Sequence, residues 1–281
     1  MNMPPRLRVT SRWETCLSFP VFPGKGATDI PKPIFSQGTG FLWEKDGKLF
    51  LVTNLHNLTG WDYTRSRALS PLGWLPEWIA ARFTVAFDKS DTALRLRHEI
   101  IQIELFDSSA NAEWLIHPKL GNKVDVGVVE IGDLKLDGEL YNIATNTHDG
   151  WTSFSPSVAD DAYVIGFPKG MDGGKGFPVW KRASIASEPV FDIDGLPLIY
   201  VDTATREGMS GSPVLFIRRG LTMPDGAKDF GEASLGESIA FLGVYSGRVG
   251  DDPLGVQLGM VWKSNVIDEI IEGKVRGSSP I

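Results

Sequence analysis

The chain has 281 residues, of which 42% are hydrophobic and 22% charged, and its net charge is −7. That length is enough for one large domain or two small ones with a buried core, and the acidic balance speaks against a nucleic-acid binder, which would show a basic patch. The single cysteine, Cys16, excludes an intramolecular disulfide and points to a reducing compartment.

The short basic groups Arg6/Arg8/Arg12 and Arg95/Arg97 read as solvated faces. The opening residues hold no apolar run of signal-peptide length. No stretch approaches the roughly 20 apolar residues that cross a bilayer. The expectation is a cytoplasmic protein with no membrane and no nucleic-acid partner.

In chain order, short apolar runs rich in Val, Ile, Leu and Phe alternate with turn residues drawn from 31 Gly and 18 Pro. That is the pattern of an all-β sandwich or barrel. Thr39–Glu44 and Lys48–Thr53 read as a hairpin turning at Lys45-Asp46-Gly47, because Asp-Gly tolerates the positive φ of a tight turn. Residues 61–98, with Trp61, Trp74 and Trp78, read as an insertion between strands, and Leu75–Phe83 as a short helix. Strands are expected at Ile100–Phe106, Val126–Ile131, Ala162–Phe167, Leu196–Thr203, Ser212–Arg218, Ile239–Ser246 and Val256–Trp262. Near residues 140–155 the pattern loosens into a polar, turn-rich linker. Last comes a helix over about 264–273, with Ser264 as cap, an apolar stripe of Val266, Ile267, Ile270 and Ile271, and Gly273 as stop.

The sharpest chemical signal is Glu207-Gly208-Met209-Ser210-Gly211-Ser212-Pro213-Val214. Small residues on both sides of Ser210 allow a tight turn that exposes the hydroxyl. The N–H groups of Gly208 and Ser210 could then converge as an oxyanion hole. A serine nucleophile needs a base. All four histidines, His56, His98, His117 and His148, precede Ser210, which excludes the α/β-hydrolase order. His56 sits where the apolar strand Phe50–Thr53 runs into a turn, and Asp125 directly precedes the apolar run Val126–Ile131. A carboxylate there could fix the imidazole tautomer and stabilise the imidazolium.

The segments LVTNLHNL, VDVGVVEI and GMSGSPV resemble the His, Asp and Ser motifs of chymotrypsin-like peptidases. The match is to the disulfide-free bacterial branch that includes the HtrA (Deg) proteases. Ala162–Gly170 and Phe241–Gly247 resemble two further strands of that family, so the likeness spans roughly residues 36–262. The resemblance implies an all-β fold of two six-stranded antiparallel barrels with a C-terminal helix. Residues 1–150 would carry His56 and Asp125, and residues 151–281 would carry Ser210. It implies a serine endopeptidase with a His56-Asp125-Ser210 triad, an oxyanion hole at Gly208 and Ser210, and substrate-binding residues Ala204, Ser246, Gly247 and Arg248. Alternatives on the same scaffold are a catalytically silent peptide-binding module and an esterase. The expected partner is a polypeptide substrate, with a regulatory protein added by family habit.

Three departures stand out. Asn54-Leu55 replaces two small residues before the histidine, so the turn there is expected to pack differently. Met209 replaces the aspartate that pairs with a freed N-terminus in digestive proteases, and Ser212 replaces the commoner glycine. Ala204 is uncharged, so no preference for Arg or Lys is indicated, and Thr205 and Ser246 would leave a small neutral pocket. Arg248 reads as a solvated turn arginine or as a partner for an acidic side chain. His117 reads as structural, His98 as exposed and His148 as part of the linker. Asp192–Gly195 lacks the rest of a calcium loop, and Gly170–Gly176 lacks the phosphate-loop spacing. No metal or cofactor is expected.

Overall fold

The structure is a computed structural model. It describes residues 19–24, 36–89, 94–132, 134–148, 151, 155–222, 229, 231, 233–250 and 257–281. Cys16, Arg6, Arg8, Arg12 and Val256 lie outside the described residues.

Two antiparallel sheets make up the body. The first half contributes β1 (Phe19–Gly24), β2 (Gly38–Lys45), β3 (Lys48–Thr53), β4 (Trp61–Asp62), β5 (Arg67–Ala68), β6 (Trp78–Lys89), β7 (Leu94–Glu104), β8 (Trp114–Ile116), β9 (Gly127–Glu130) and β10 (Glu139–Leu140). The second contributes β11 (Asp161–Gly166), β12 (Val179–Ile185), β13 (Leu198–Asp202), β14 (Pro213–Thr222), β15 (Ser234–Arg248) and β16 (Leu258–Lys263). Among the described residues there are also two α-helices, α1 (Leu55–Thr59) and α2 (Asn265–Gly273), two short 3-10 turns (Thr145–Thr147 and Pro168–Gly170) and a last strand, β17 (Val275–Arg276).

The second sheet is a closed barrel in the order β11-β12-β13-β16-β15-β14, as the all-β reading expects. The first is larger than the expected six strands. Its nine strands run β10-β6-β1-β2-β3-β9-β8-β17, with β7 on β6. A lone bridge, Phe106↔Ala112, and the bond from the Glu113 N–H to the Leu105 carbonyl (2.9 Å) tie the far end of β7 to the start of β8. The two-residue strands β10 and β17 are part of the surplus, while the region that reads as an insertion gives β6 and the first part of β7, strands 12 and 11 residues long, and a separate β4–β5 hairpin.

The turn chemistry reads through cleanly at one place. Asp46 and Gly47 take φ of 54° and 74° between the paired Lys45 and Lys48. Elsewhere tertiary context wins. The helix expected over Leu75–Phe83 is absent, and Trp78 onward is strand β6. Pairing with β1 on one edge and β7 on the other satisfies its backbone far better than an isolated turn of helix would. Helix α2 forms as expected, but Ser264 makes no side-chain cap bond. Its stop is Lys274 in the left-handed region (φ 51°), one residue past Gly273.

Three of the four apolar clusters among the described residues fix the halves. One fills the first sheet around Phe83 and Trp114, and another fills the closed barrel around Phe216 and Tyr245. The cluster between them joins Phe41, Phe50 and Val128 of the first sheet to Val244 and Trp262 of the barrel and to the stripe of α2. Val266, Ile267 and Ile270 in that stripe are fully buried. Each such side chain contributes about 1.5–3 kcal/mol by leaving water. Ile267→Ala should therefore lower the unfolding free energy by about 2–5 kcal/mol, read by urea or guanidinium denaturation. A change under about 0.5 kcal/mol would contradict the wedge role of α2.

Candidate active site

Helix α1 starts one residue after β3 and carries His56 on a face pinned from below. Leu55 and Leu58 are fully buried in the first-sheet core. Gly127 opens β9, and a methyl group there would lie 2.5 Å from Leu58, so helix and strand touch closely. The Asn54-Leu55 departure has a structural account. Leu55 is a core residue, and the Asn54 amide donates to the Asp125 carbonyl oxygen at 2.6 Å, tying the turn before His56 to the turn before β9.

The Asp125 carboxylate gathers three donors. The His56 backbone N–H reaches Oδ1 at 2.9 Å, and His56 Nδ1 meets Oδ2 at 2.7 Å. The Ser246 hydroxyl reaches the same Oδ2 at 2.5 Å, from strand β15 of the barrel. Ser246 can do so because the β15–β16 register slips between Tyr245 and Gly247. The extra residue of such a bulge is released from the ladder and re-aimed. Ser246, expected as a substrate-binding residue, thus spends its hydroxyl on Asp125.

Burial pushes the His56 pKa down, but the Asp125 carboxylate, by its charge and its hydrogen bond, pushes it up further, and Asp62 adds to that field. The net pKa lies above the ordinary 6.5. The bond through Nδ1 leaves Nε2 as the proton acceptor of the neutral ring.

Ser210 lies in the loop between β13 and β14. Gly208 (φ 88°) and Gly211 (φ 86°) flank it in a region that favours glycine. A Cβ at Gly208 would sit 2.3 Å from the Phe167 carbonyl oxygen, and one at Gly211 2.1 Å from the Thr39 carbonyl oxygen. The Glu207 carbonyl accepts from the Lys169 N–H at 2.6 Å. Among the described residues the N–H groups of Gly208 and Ser210 make no hydrogen bond. Met209 is fully buried in the barrel core with Val214 and Val261, so its side chain makes apolar contacts.

His56, Asp125, Gly208, Ser210, Ser246, Gly247 and Arg248 line one cleft of about 1390 Å³, together with Trp61 and Tyr63. Ala204 is not in that lining. Beside it the buried hydroxyls of Thr205 and Tyr245 share a hydrogen bond. Arg248 makes no ion pair among the described residues. Nor does any hydrogen bond there link the His56 imidazole to the Ser210 hydroxyl. His117 is engaged elsewhere: Nε2 faces Glu269 at 3.0 Å while Nδ1 accepts from the Lys119 and Leu120 N–H groups. His98 meets Thr84 and the Lys175 carbonyl oxygen, and His148 stacks at a tilt on Trp151. Among the described residues no group of three or more His, Cys, Asp or Glu could hold a metal ion, and no helix is long and apolar enough to cross a membrane.

Two residues of the site escape a reading of motifs. Asn57, one residue past the histidine, donates to the Ser210 carbonyl oxygen at 3.1 Å and to Thr53 Oγ1 at 2.9 Å. Thr39 on β2 donates its N–H to that same Ser210 carbonyl oxygen at 2.8 Å. Their only sequence trace is polarity inside otherwise buried segments. The His56 environment is directly measurable. NMR titration should give an imidazole pKa above 6.5, and Asp125→Asn should bring it below the wild-type value, since burial then acts against less opposing charge. An unchanged value would dissociate the pair.

The trypsin-like peptidase domain family matches residues 38–220, well over half of the chain. No curated protein matches it. Among solved structures, the HtrA-type protease AlgW with tripeptide is similar at 14% identity and a TM-score of 0.48. That likeness covers 96% of this chain and 64% of the other, so the chain spans less than two thirds of that protein's length. From the family match over both strand systems, this chain belongs to the trypsin-like peptidase domain family, a family of peptidases with the chymotrypsin-like all-β fold.

Proposed function

We propose that the chain is a serine endopeptidase whose nucleophile is Ser210, whose general base is His56 and whose orienting carboxylate is Asp125. The observation that carries this reading is the 2.7 Å Asp125–His56 pair in the same cleft as Ser210. The N–H groups of Gly208 and Ser210, which make no hydrogen bond among the described residues, belong to the same loop as that hydroxyl. Residues 1–150 supply the base and the carboxylate, and residues 151–281 supply the nucleophile. The substrate is a polypeptide, met in the cytoplasm.

In the first half-reaction Ser210 Oγ attacks a peptide carbonyl carbon and its proton passes to His56 Nε2. The carbonyl oxygen becomes an oxyanion held by the Gly208 and Ser210 N–H groups. Collapse breaks the C–N bond, the amine leaves with the proton from His56, and an acyl ester remains on Ser210. Water, deprotonated by the same imidazole, then hydrolyses that ester and restores the serine. Backbone groups of Ser246 and Arg248 pair with the substrate strand. No acidic side chain stands at Ala204, Thr205 or Ser246, which favours a small neutral side chain over a basic one next to the scissile bond.

The lack of a hydrogen bond between His56 and Ser210 favours one second reading, a protease-fold module that binds peptide without turnover. Catalytic bonds of this kind often tighten only once substrate is in place, and the reactivity of the serine decides. A fluorophosphonate probe should label wild type at Ser210, as mapped by mass spectrometry, and should fail on Ser210→Ala. Equal labelling of the two sinks the assignment. The rate against pH should rise with a midpoint above 6.5, because only the neutral imidazole accepts a proton and its pKa is raised. In a peptide library, alanine or serine before the cleaved bond should outpace arginine or lysine. A preference for the basic residues would overturn the neutral-pocket reading.

A further inference from the structure

We propose that Thr39, a residue of the first sheet, is a positioning residue for the oxyanion-forming loop of the barrel. This rests on the serine-peptidase reading above. Thr39 is fully buried at the start of β2. Its side-chain hydroxyl donates to the Gly208 carbonyl oxygen at 2.7 Å and accepts from the Phe167 N–H at 3.2 Å. Its backbone N–H holds the Ser210 carbonyl oxygen at 2.8 Å. One residue therefore grips the carbonyls on both sides of Met209.

The hydroxyl matters because a peptide unit is planar, with its C=O and N–H pointing opposite ways. The Gly208 N–H belongs to the Glu207–Gly208 unit, whose carbonyl is taken by the Lys169 N–H at 2.6 Å. The next unit, Gly208–Met209, is fixed by the Thr39 hydroxyl. The two units meet at Gly208 Cα, where φ of 88° favours glycine, the residue that resists rotation least. With both units tethered, the Gly208 N–H has one direction. With the Thr39 bond removed, rotation at Gly208 is opposed by the Lys169 bond and by the longer Met209 N–H bond to the Arg206 carbonyl oxygen at 3.3 Å.

Neighbouring residues are shaped around this contact. A Cβ at Gly166 would lie 2.6 Å from Thr39 Oγ1. Thr53 Oγ1 donates to the Thr39 carbonyl oxygen at 2.7 Å. Asn57 donates to Thr53 and to the Ser210 carbonyl oxygen, so the residue after the base joins the same network. The network thus links the segment bearing His56 to the loop bearing Ser210. Thr39 touches no substrate in this scheme and acts only through the peptide units it holds.

The test uses the full chain with Thr39→Val, which keeps the shape and removes the hydroxyl, and Thr39→Ser, which keeps the hydroxyl. Thermal unfolding, fluorophosphonate reaction rate, kcat, KM and the pH profile are measured for each. For Thr39→Val we expect kcat to fall on the order of 10- to 100-fold, the scale of weakening one oxyanion donor. KM should stay within about 3-fold and the midpoint of the pH profile should not move, because the His56–Asp125 pair is untouched. Thr39→Ser should recover kcat to within about 3-fold of wild type. A folded Thr39→Val chain with wild-type kcat overturns the inference, as does a loss of kcat that Thr39→Ser shares. If Thr39→Val does not fold, Thr39→Cys replaces it, its thiol being a weak donor. Its kcat should then fall below that of Thr39→Ser, and equality overturns the inference. A wild-type chain inert to fluorophosphonate removes the peptidase reading itself and is told apart by that control.

Discussion

The arrangement depends on where one carboxylate sits. Asp125 stands at the last turn before β9, and its two oxygens take a backbone N–H, an imidazole and a hydroxyl. Two of those donors come from α1 of the first sheet and one from β15 of the barrel. A partly buried carboxylate is expensive unless its lone pairs are filled. Filling them here requires three chain segments to arrive together, so the cost of burying the charge and the alignment of the imidazole are met by the same bonds.

The apolar packing makes that meeting possible. The cluster between the halves takes in aromatic residues of β2 and β3, Trp262 of β16 and the stripe of α2. It lies under the cleft as a common foundation, and interiors of this kind are packed as densely as crystals. Polar contacts at the surface of the wedge, such as Asn54 on the Asp125 carbonyl and Asn57 on the Ser210 carbonyl, then add direction to what the apolar contacts bring near.

Much of this was legible in the residues alone, for identifiable reasons. Strands were readable wherever apolar runs met Gly or Asp, as at Asp46-Gly47, because local backbone preference and tertiary need agree there. The β6 segment was not, since Ala80 and Ala81 carry little strand preference and pairing partners decide the outcome. His56 and Asp125 announce themselves by standing at the ends of apolar strands. Thr39 and Asn57 do not, because a hydroxyl or amide inside a strand or helix looks alike whether it faces solvent or another loop. Ser246 was legible as part of the cleft but not in its role, because nothing in the composition of β15 foretells a bulge at that residue. Ala204 was placed by likeness alone, and the cleft does not reach it.

The end of the described chain turns back on its beginning. After the barrel closes, α2 packs beneath β2 and β3, and β17 pairs with β8 of the first sheet. Lys45 on β2 meets Asp268 and Glu272 of that helix, and the Trp43 indole N–H donates to Asp268. During synthesis, then, the strands made first cannot complete their packing until residues 265–276 have cleared the ribosome. A nascent chain holding His56 and Asp125 would wait with an open apolar flank while the barrel is still being made. Timing of assembly is thereby written into the topology: the walls of the cleft are locked together only after residues 265–276 have been made.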